Sequence, residues 1–468
     1  MPNRSRRDFL KLAAAASLGA THARLLSASP TPQLQAWATS KDRRLEEIKL
    51  PDWRPFPKGG KPGILIDATK RYQEILGFGG AFTDASCYLF SQLEAEKRQA
   101  LLGELFGTNG LKLSVGRTCI GSSDYSRCAY SFDESPDPDP ELQRFSIDHD
   151  REYIVPTLLD AQQLNPDLFL LSSPWSPPGW MKANDSMLGG SMRKKYLSVY
   201  AHYFIKFLEA YAKDGVKIRA VTIQNEVDTD QDGRMPAALW GQEYEIEFVK
   251  KHLGPGLQQA SLNTKIWMLD HNYNLWGRVM DELSDPEFNK YVEGVAWHAY
   301  GGTPDAMTRV HDAYPAKSTY WTEGGPDFNS PDYATDWAKW SLTFTGILRN
   351  WARCIVGWNL LLDEKGQPNI GPFLCGGMVT VNSRTREITR SGQYWAFAHY
   401  SKFVQRGAWV IGSDSKLDGI DHVAFENPDG THVLVVTNQG AAAQVACQWG
   451  TQALELTLDP GSVTSLHW

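Results

Sequence analysis

The chain has 468 residues, 42% of them hydrophobic and 22% charged, which excludes a disordered or collagen-like polypeptide and allows a large buried core. Its formal charge of −7 at pH 7 disfavours nucleic acid and anionic membrane surfaces as partners. The length suits a parallel barrel of roughly 250 to 400 residues with an appendage.

In chain order the first feature is Ser5-Arg6-Arg7-Asp8-Phe9-Leu10-Lys11, followed by the Ala-rich apolar run 12–20 and Thr21-His22-Ala23. Paired arginines before a modest apolar stretch that ends in small residues read as a twin-arginine export signal over 1–23. Cleavage after Ala23 would remove four bases (Arg4, Arg6, Arg7, Lys11) and one acid (Asp8), moving the formal charge from −7 to −10. The expected product is periplasmic or extracellular. It has no stable membrane insertion, because no later segment offers about 18 consecutive apolar residues.

Residues 24–74 read as a linker with N-terminal strands, including Ile64-Leu65-Ile66-Asp67. From residue 75 a short β-rich run is followed each time by an amphipathic stretch, the signature of βα units. The runs fall at 75–79, 113–117, 169–173, 220–224, 266–269, 294–298, 319–322 and 355–359. Helical spacing marks 92–106, 153–163, 194–212, 243–253 and 334–350. Eight such units predict a closed (β/α)8 TIM barrel over 75–394. Beyond 395 the texture becomes alternating runs at 422–425, 432–437 and 454–458, split by Asn427-Pro428-Asp429-Gly430 and bounded by Asp459-Pro460-Gly461. Residues 395–468, joined by the N-terminal strands, are therefore expected to form a small antiparallel β-sandwich side domain built from both chain ends.

A parallel barrel carries its active site at the carboxyl ends of its strands. There the fourth run ends Gln224-Asn225-Glu226 and the seventh ends Thr322-Glu323-Gly324-Gly325. Glycoside hydrolysis uses two carboxyls, one protonating the leaving oxygen and one stabilising or capturing the oxocarbenium-like centre. A surface ion pair would explain either Glu alone. Both at strand ends, with an amide at Asn225 able to bind a sugar 2-hydroxyl, point to a β-linked saccharide or glycoconjugate substrate. A carbohydrate-binding barrel that does not cleave is the rival from another class. The Trp content (17 residues) serves either, since indole faces stack on sugars or fill a core.

The chain resembles glycoside hydrolase family 30, the glucosylceramidase family, through Gly77-Phe78-Gly79-Gly80-Ala81-Phe82-Thr83-Asp84, the run 173–182 (Ser-Pro-Trp-Ser-Pro-Pro-Gly-Trp-Met-Lys), Gln224-Asn225-Glu226, Trp297-His298-Ala299-Tyr300 and Thr322-Glu323-Gly324-Gly325. The resemblance implies Glu226 as acid/base, Glu323 as nucleophile and Asn225 at the 2-hydroxyl. It implies Asp124 gripping outer sugar hydroxyls, and Trp175 and Trp358 flanking the sugar. Arg117, His298 and Tyr300 would set the orientation and ionisation of the carboxylates. A cation such as Arg117 lowers a carboxyl pKa and burial raises it, so two Glu residues can take opposite roles, with the acid kept protonated. The implied activity is retaining hydrolysis of β-glycosides, β-glucosides first, with β-xylosides, β-1,6-glucans, β-galactosides and fucosides left open.

Two loops leave the family pattern. Residues 366–373 lack a counterpart of the sugar-contacting Asn, and 227–234, Val-Asp-Thr-Asp-Gln-Asp-Gly-Arg, form an insert expected to shape the leaving-group side. Asp228-x-Asp230-x-Asp232-Gly233 copies half of a calcium loop, but the twelfth position is Leu239 instead of Glu, so a solvated acidic loop is the better reading. No phosphate-binding loop, GxSxG elbow or HExxH occurs, and neither a metal nor a cofactor is expected. Six cysteines lack zinc-site spacing, and Cys119 with Cys128 is the nearest pair.

Overall fold

A computed structural model describes residues 34–57, 60, 63–415 and 417–468, so the expected export signal lies outside the described residues. The eight expected strands are present: β1 (Gly77–Phe82), β2 (Val115–Cys119), β3 (Phe169–Ser173), β4 (Ile218–Thr222), β5 (Lys265–Asn272), β6 (Val292–His298), β7 (Ser318–Glu323) and β8 (Ala352–Gly357). Each pairs in parallel with its sequence neighbours, and β8 returns to β1 to close the barrel. Glycine decides how tightly β1 and β2 approach. A Cβ on Gly79 would sit 1.5 Å from the Val115 carbonyl oxygen, so only glycine fits.

Side chains alternate faces along a strand, and the inward positions stack in two layers. The lower is apolar: Val115, Leu171, Ala220, Trp267, Ala296, Tyr320, Cys354 and Val356 cluster within the ring, with Trp267 and Tyr320 stacked at 3.7 Å. Two residues further along most of these strands the inward positions become Arg117, Ser173, Thr222, His298 and Thr322, all buried. The sequence thus converts an apolar floor into a polar ceiling in one step of the strand period.

β5 breaks that rule. Leu269 and Asp270 have φ of 70° and 49°, and the pairing with β6 skips a residue between Ala296 and Trp297. One extra residue in the strand is a β-bulge. It lets Asp270 face inward where regular alternation from Trp267 would place Leu269, and it brings His271 to the barrel mouth beside it.

The expected helices appear as Ala95–Phe106, Asp148–Leu164, Leu197–Lys213, Gln242–Glu247 continuing into a wider turn over Phe248–Leu253, and Trp337–Leu348. Asp84–Ser91, capped by the Thr83 hydroxyl, is an additional helix. A small sheet of Leu361–Asp363, Val379–Val381 and Ile388–Arg390 follows β8.

The side domain is β-sandwich-like and is built from both sequence ends. Its strands run in the order Arg43–Ile48, Gln35–Ser40, Ser462–His467, His432–Asn438, Ile420–Glu426, Trp409–Ser415, Ile64–Glu74, Ala443–Trp449, Gln452–Leu458 and Arg54–Pro55. Ile64, Ile66, Leu434, Leu456 and Leu466 share its core. The sheet departs from a purely antiparallel pattern where Ala443–Trp449 lies parallel to Ile64–Glu74. Helix Gly392–Ser401 runs across residues 394 and 395, the expected boundary, and packs on β1. All six cysteines are free, Cys119 buried and Cys128 exposed.

Candidate active site

The polar ceiling converges on Asp270, which sequence reasoning missed because the fifth run was ended at Leu269. Its Oδ2 accepts from Arg117 Nη2, Ser173 Oγ and Thr222 Oγ1 at 2.7, 2.7 and 2.8 Å, and its Oδ1 accepts from Thr322 Oγ1 at 2.7 Å. The run Asp270-His271-Asn272 directly after an apolar strand was the available signal. Burial opposes ionisation of Asp270, but Arg117 and His298 outweigh it and hold the carboxyl far below the ordinary range.

Arg117 is fully buried and distributes its guanidinium over the site. It donates to Glu323 Oε2, to Asn225 Oδ1 at 2.7 Å and to Ser173 Oγ at 3.1 Å, as well as to Asp270. Asn225 is thereby oriented, its carbonyl oxygen occupied and its NH2 group left for a ligand. Burial lowers the Arg117 pKa, but Asp270 and Glu323 more than reverse it, so the cation is permanent. Tyr300 donates from its hydroxyl to Glu323 Oε1 at 3.1 Å, giving each oxygen of Glu323 one donor.

His298 lies between the two Glu residues. Its Nδ1 is 3.4 Å from Glu226 Oε1, and its Nε2 is 3.0 Å from Asp270 Oδ1 and 3.9 Å from Glu323 Oε2. Burial pulls the imidazole down, but Glu323, Asp270 and Glu226 raise it to about 9. Glu226 shows the other side of this attraction. Burial raises its carboxyl, yet His298 and then His271 bring it below the ordinary range. The expectation that burial keeps Glu226 protonated is therefore reversed, because the two imidazoles outweigh burial and favour its ionised form. Because His298 is raised above its unfolded value, its contribution to stability is complete below about pH 6.5 and lost as pH rises through about 9. Thermal unfolding followed from pH 6 to pH 9.5 should show this decline, and His298→Gln should flatten it. An unchanged decline in the variant would remove the assignment.

The cleft above these residues has a volume of about 610 Å3, and Asp124, Trp175, Asn225, Glu226, Tyr300, Glu323 and Trp358 all line it. Burial, then the charges of Glu323 and Glu226, push the Asp124 carboxyl well up. Trp175 and Trp358 stack on each other with centroids 5.1 Å apart at 17°. A sugar held between two rings needs about 7 to 8 Å, two van der Waals contacts. The two indoles thus form one wall beside the sugar and do not flank it on opposite sides. The Arg117 guanidinium lies 4.8 and 5.4 Å from their ring centroids.

In the loop after β8, Asn369 spends its amide on Gly371 N and Phe373 O, in keeping with the missing sugar contact, while Phe373 and Leu374 stand exposed at the cleft mouth. In the half calcium loop Asp230 caps Asp232 N, and Asp228 meets His271. Among the described residues one cluster has metal-site spacing, Glu226, His271 and His298, with ligand atoms within 4.8 Å.

A parallel barrel with one carboxylate just after β4 and another ending β7, bridged by Arg117, Asn225 and His298, defines a barrel glycosidase. Residues 75–404 match the glycosyl hydrolase family 30 TIM-barrel domain and residues 407–466 the glycosyl hydrolase family 30 beta sandwich domain. The chain belongs to glycosyl hydrolase family 30 and is an O-glycosidase. It is 35% identical over 442 residues to endo-1,6-beta-D-glucanase of Neurospora crassa, covering 87% of this chain and 88% of that protein. It is 29% identical over 403 residues to lysosomal acid glucosylceramidase of Mus musculus, covering 81% and 77%. The solved structure of the endo-beta1,6-glucanase BT3312 superposes with a TM-score of 0.85 at 29% identity, covering 93% of this chain and 99% of that one. Among the described residues no helix is long and apolar enough to cross a membrane.

Proposed function

We propose that this protein is a retaining β-glycosidase whose substrate is a β-1,6-linked glucan. Glu323 attacks the anomeric carbon as the glycosidic C–O bond breaks, and Glu226 gives its proton to the departing oxygen. Water then attacks the glycosyl ester, returns a proton to Glu226 and frees Glu323. The observation that carries this reading is that Glu226 and Glu323 face one cleft from the carboxyl ends of β4 and β7, with the His298 imidazole between them, Nδ1 3.4 Å from Glu226 and Nε2 3.9 Å from Glu323. Arg117 and Tyr300 each donate a hydrogen bond to one oxygen of Glu323, and the proton that Glu226 delivers to the leaving oxygen comes from its pair with His298.

The choice of β-1,6-glucan rests on similarity to two glucanases over most of the chain, together with a polar leaving-group side formed by Thr229, Gln231, His271 and Asn272. Those side chains suit a sugar as the departing group. A second reading, hydrolysis of glucosylceramide, is favoured by the exposed Phe373 and Leu374 at the cleft mouth and by the similarity to glucosylceramidase. Incubation with β-1,6-glucan, glucosylceramide, β-1,4-xylan and aryl β-glucosides, with the first-formed anomer read by NMR, separates these readings. β-1,6-Glucan should be cleaved fastest with the β anomer appearing first. The α anomer would refute retention, and binding without product would favour the carbohydrate-binding rival.

The reading includes export by the twin-arginine route to the periplasm or beyond, on the strength of Arg6-Arg7 and the apolar run after them. Replacing both arginines by lysine should retain the protein in the cytoplasm.

A further inference from the structure

The insert after Glu226 and the extra residue in β5 meet at one place. His271, buried at 6% exposure, has Nε2 2.7 Å from Asp228 Oδ1, and its Nδ1 is 3.6 Å from Glu226 Oε1 with no hydrogen-bond partner. Gln231, from the same insert, donates through Nε2 to Glu226 Oε2 at 2.7 Å. Behind Asp228 lies Arg278, held by the buried Glu245 and Glu282. The Glu226 backbone, with φ of 53°, is also fastened to the bulge through its N–H to Asp270 O at 3.1 Å.

We propose that His271, fixed by Asp228, is a positioning residue for Glu226, and that with Gln231 it holds the carboxyl toward the leaving-group oxygen. The geometry is that of a brace. A buried ring nitrogen with no partner other than the carboxylate it faces is costly unless it serves that carboxylate. Carboxylate–imidazole pairs of this form fix both the tautomer and the plane of the ring. With Nε2 held on Asp228, Nδ1 faces Glu226 Oε1 while Gln231 holds Oε2, so the carboxyl is fixed from both sides. His298 approaches the same oxygen from β6, so the two imidazoles come from adjacent strands and are tied to different carboxylates, Asp228 and Asp270.

The proposal rests on Glu226 being the acid/base, and the test keeps the two claims apart. Aryl β-glucosides with leaving groups from 2,4-dinitrophenol to phenol measure how much each variant depends on proton donation. Glu226→Ala should lose far more activity on the phenyl than on the dinitrophenyl substrate. Its failure to do so would overturn the assignment of Glu226 itself. With that control in place, His271→Ala should lose kcat/KM about tenfold more on the phenyl than on the dinitrophenyl substrate, since general acid catalysis contributes about 10^2- to 10^4-fold. Asp228→Ala should show the same bias, whereas Asp228→Asn, whose amide oxygen still accepts from Nε2, should recover most of it. Equal losses on both substrates, or Asp228→Asn behaving as Asp228→Ala, would overturn the brace. A misfolded His271→Ala leaves the two Asp228 variants to decide.

Discussion

Glu323→Ala should lower kcat on an aryl β-glucoside by about 10^4-fold or more, because the covalent step loses its nucleophile while the acid remains. The fold should survive, as the site keeps Asp270 to balance the buried Arg117. The more telling readout is the product formed with added azide. Azide entering the space vacated by Glu323 attacks the substrate directly and gives the α-glycosyl azide. In Glu226→Ala azide replaces water in the second step and gives the β-glycosyl azide. Swapped products would exchange the two roles, and no azide product from either variant would remove the covalent mechanism.

The second large effect is on folding. Arg117→Met should lower the unfolding free energy by about 3 to 5 kcal/mol, the cost of breaking a buried ion pair and leaving its partners uncompensated. Arg117 is fully buried and serves Asp270, Glu323, Asn225 and Ser173 at once. Lysine restores the charge but not a planar fork able to reach four groups, so Arg117→Lys should recover only part of the loss. Adding Asp270→Asn to Arg117→Met should cost less than the sum of the single changes, since the second substitution removes a charge that the first one stranded. Denaturant unfolding of the four variants, Asp270→Asn alone included, measures these effects. Additive losses would mean that Arg117 and Asp270 are energetically independent.

Most of the barrel was legible because its signals are local. Each strand is a short apolar run with helical spacing after it, and Glu226 and Glu323 follow directly from strand ends. The same locality explains the misses. Asp270 faces inward only because the bulge at Leu269 and Asp270 shifts the alternation, and strand spacing alone points Leu269 there. Glu226 was expected to be protonated by burial, but its ionisation is set by His271 and His298 from two other strands, a sum over neighbours that no single segment contains. Trp175 and Trp358 both line the cleft, yet whether two rings flank a sugar or stack on each other depends on a 5.1 Å spacing fixed only by the closed barrel. The insert at 227–234 is legible as a departure from the family pattern, but the partners of Gln231 and Asp228, which are Glu226 and His271, emerge only in three dimensions.

One histidine ties the barrel segment to both chain ends of the side domain. His399, buried in the helix Gly392–Ser401, has Nδ1 2.7 Å from Ser465 Oγ and Nε2 2.8 Å from Thr39 Oγ1, and burial lowers it to about 3, so it stays neutral. The strands carrying those hydroxyls pair with each other, Gln35 opposite His467. The side domain thus closes a seam between segments more than 400 positions apart in the chain, on a helix that packs against the barrel. A ribosome must release residue 465 before the seam can close, so nascent chains expose an unfinished sheet edge until synthesis is nearly complete, and neither unit has a clean point at which to be cut free.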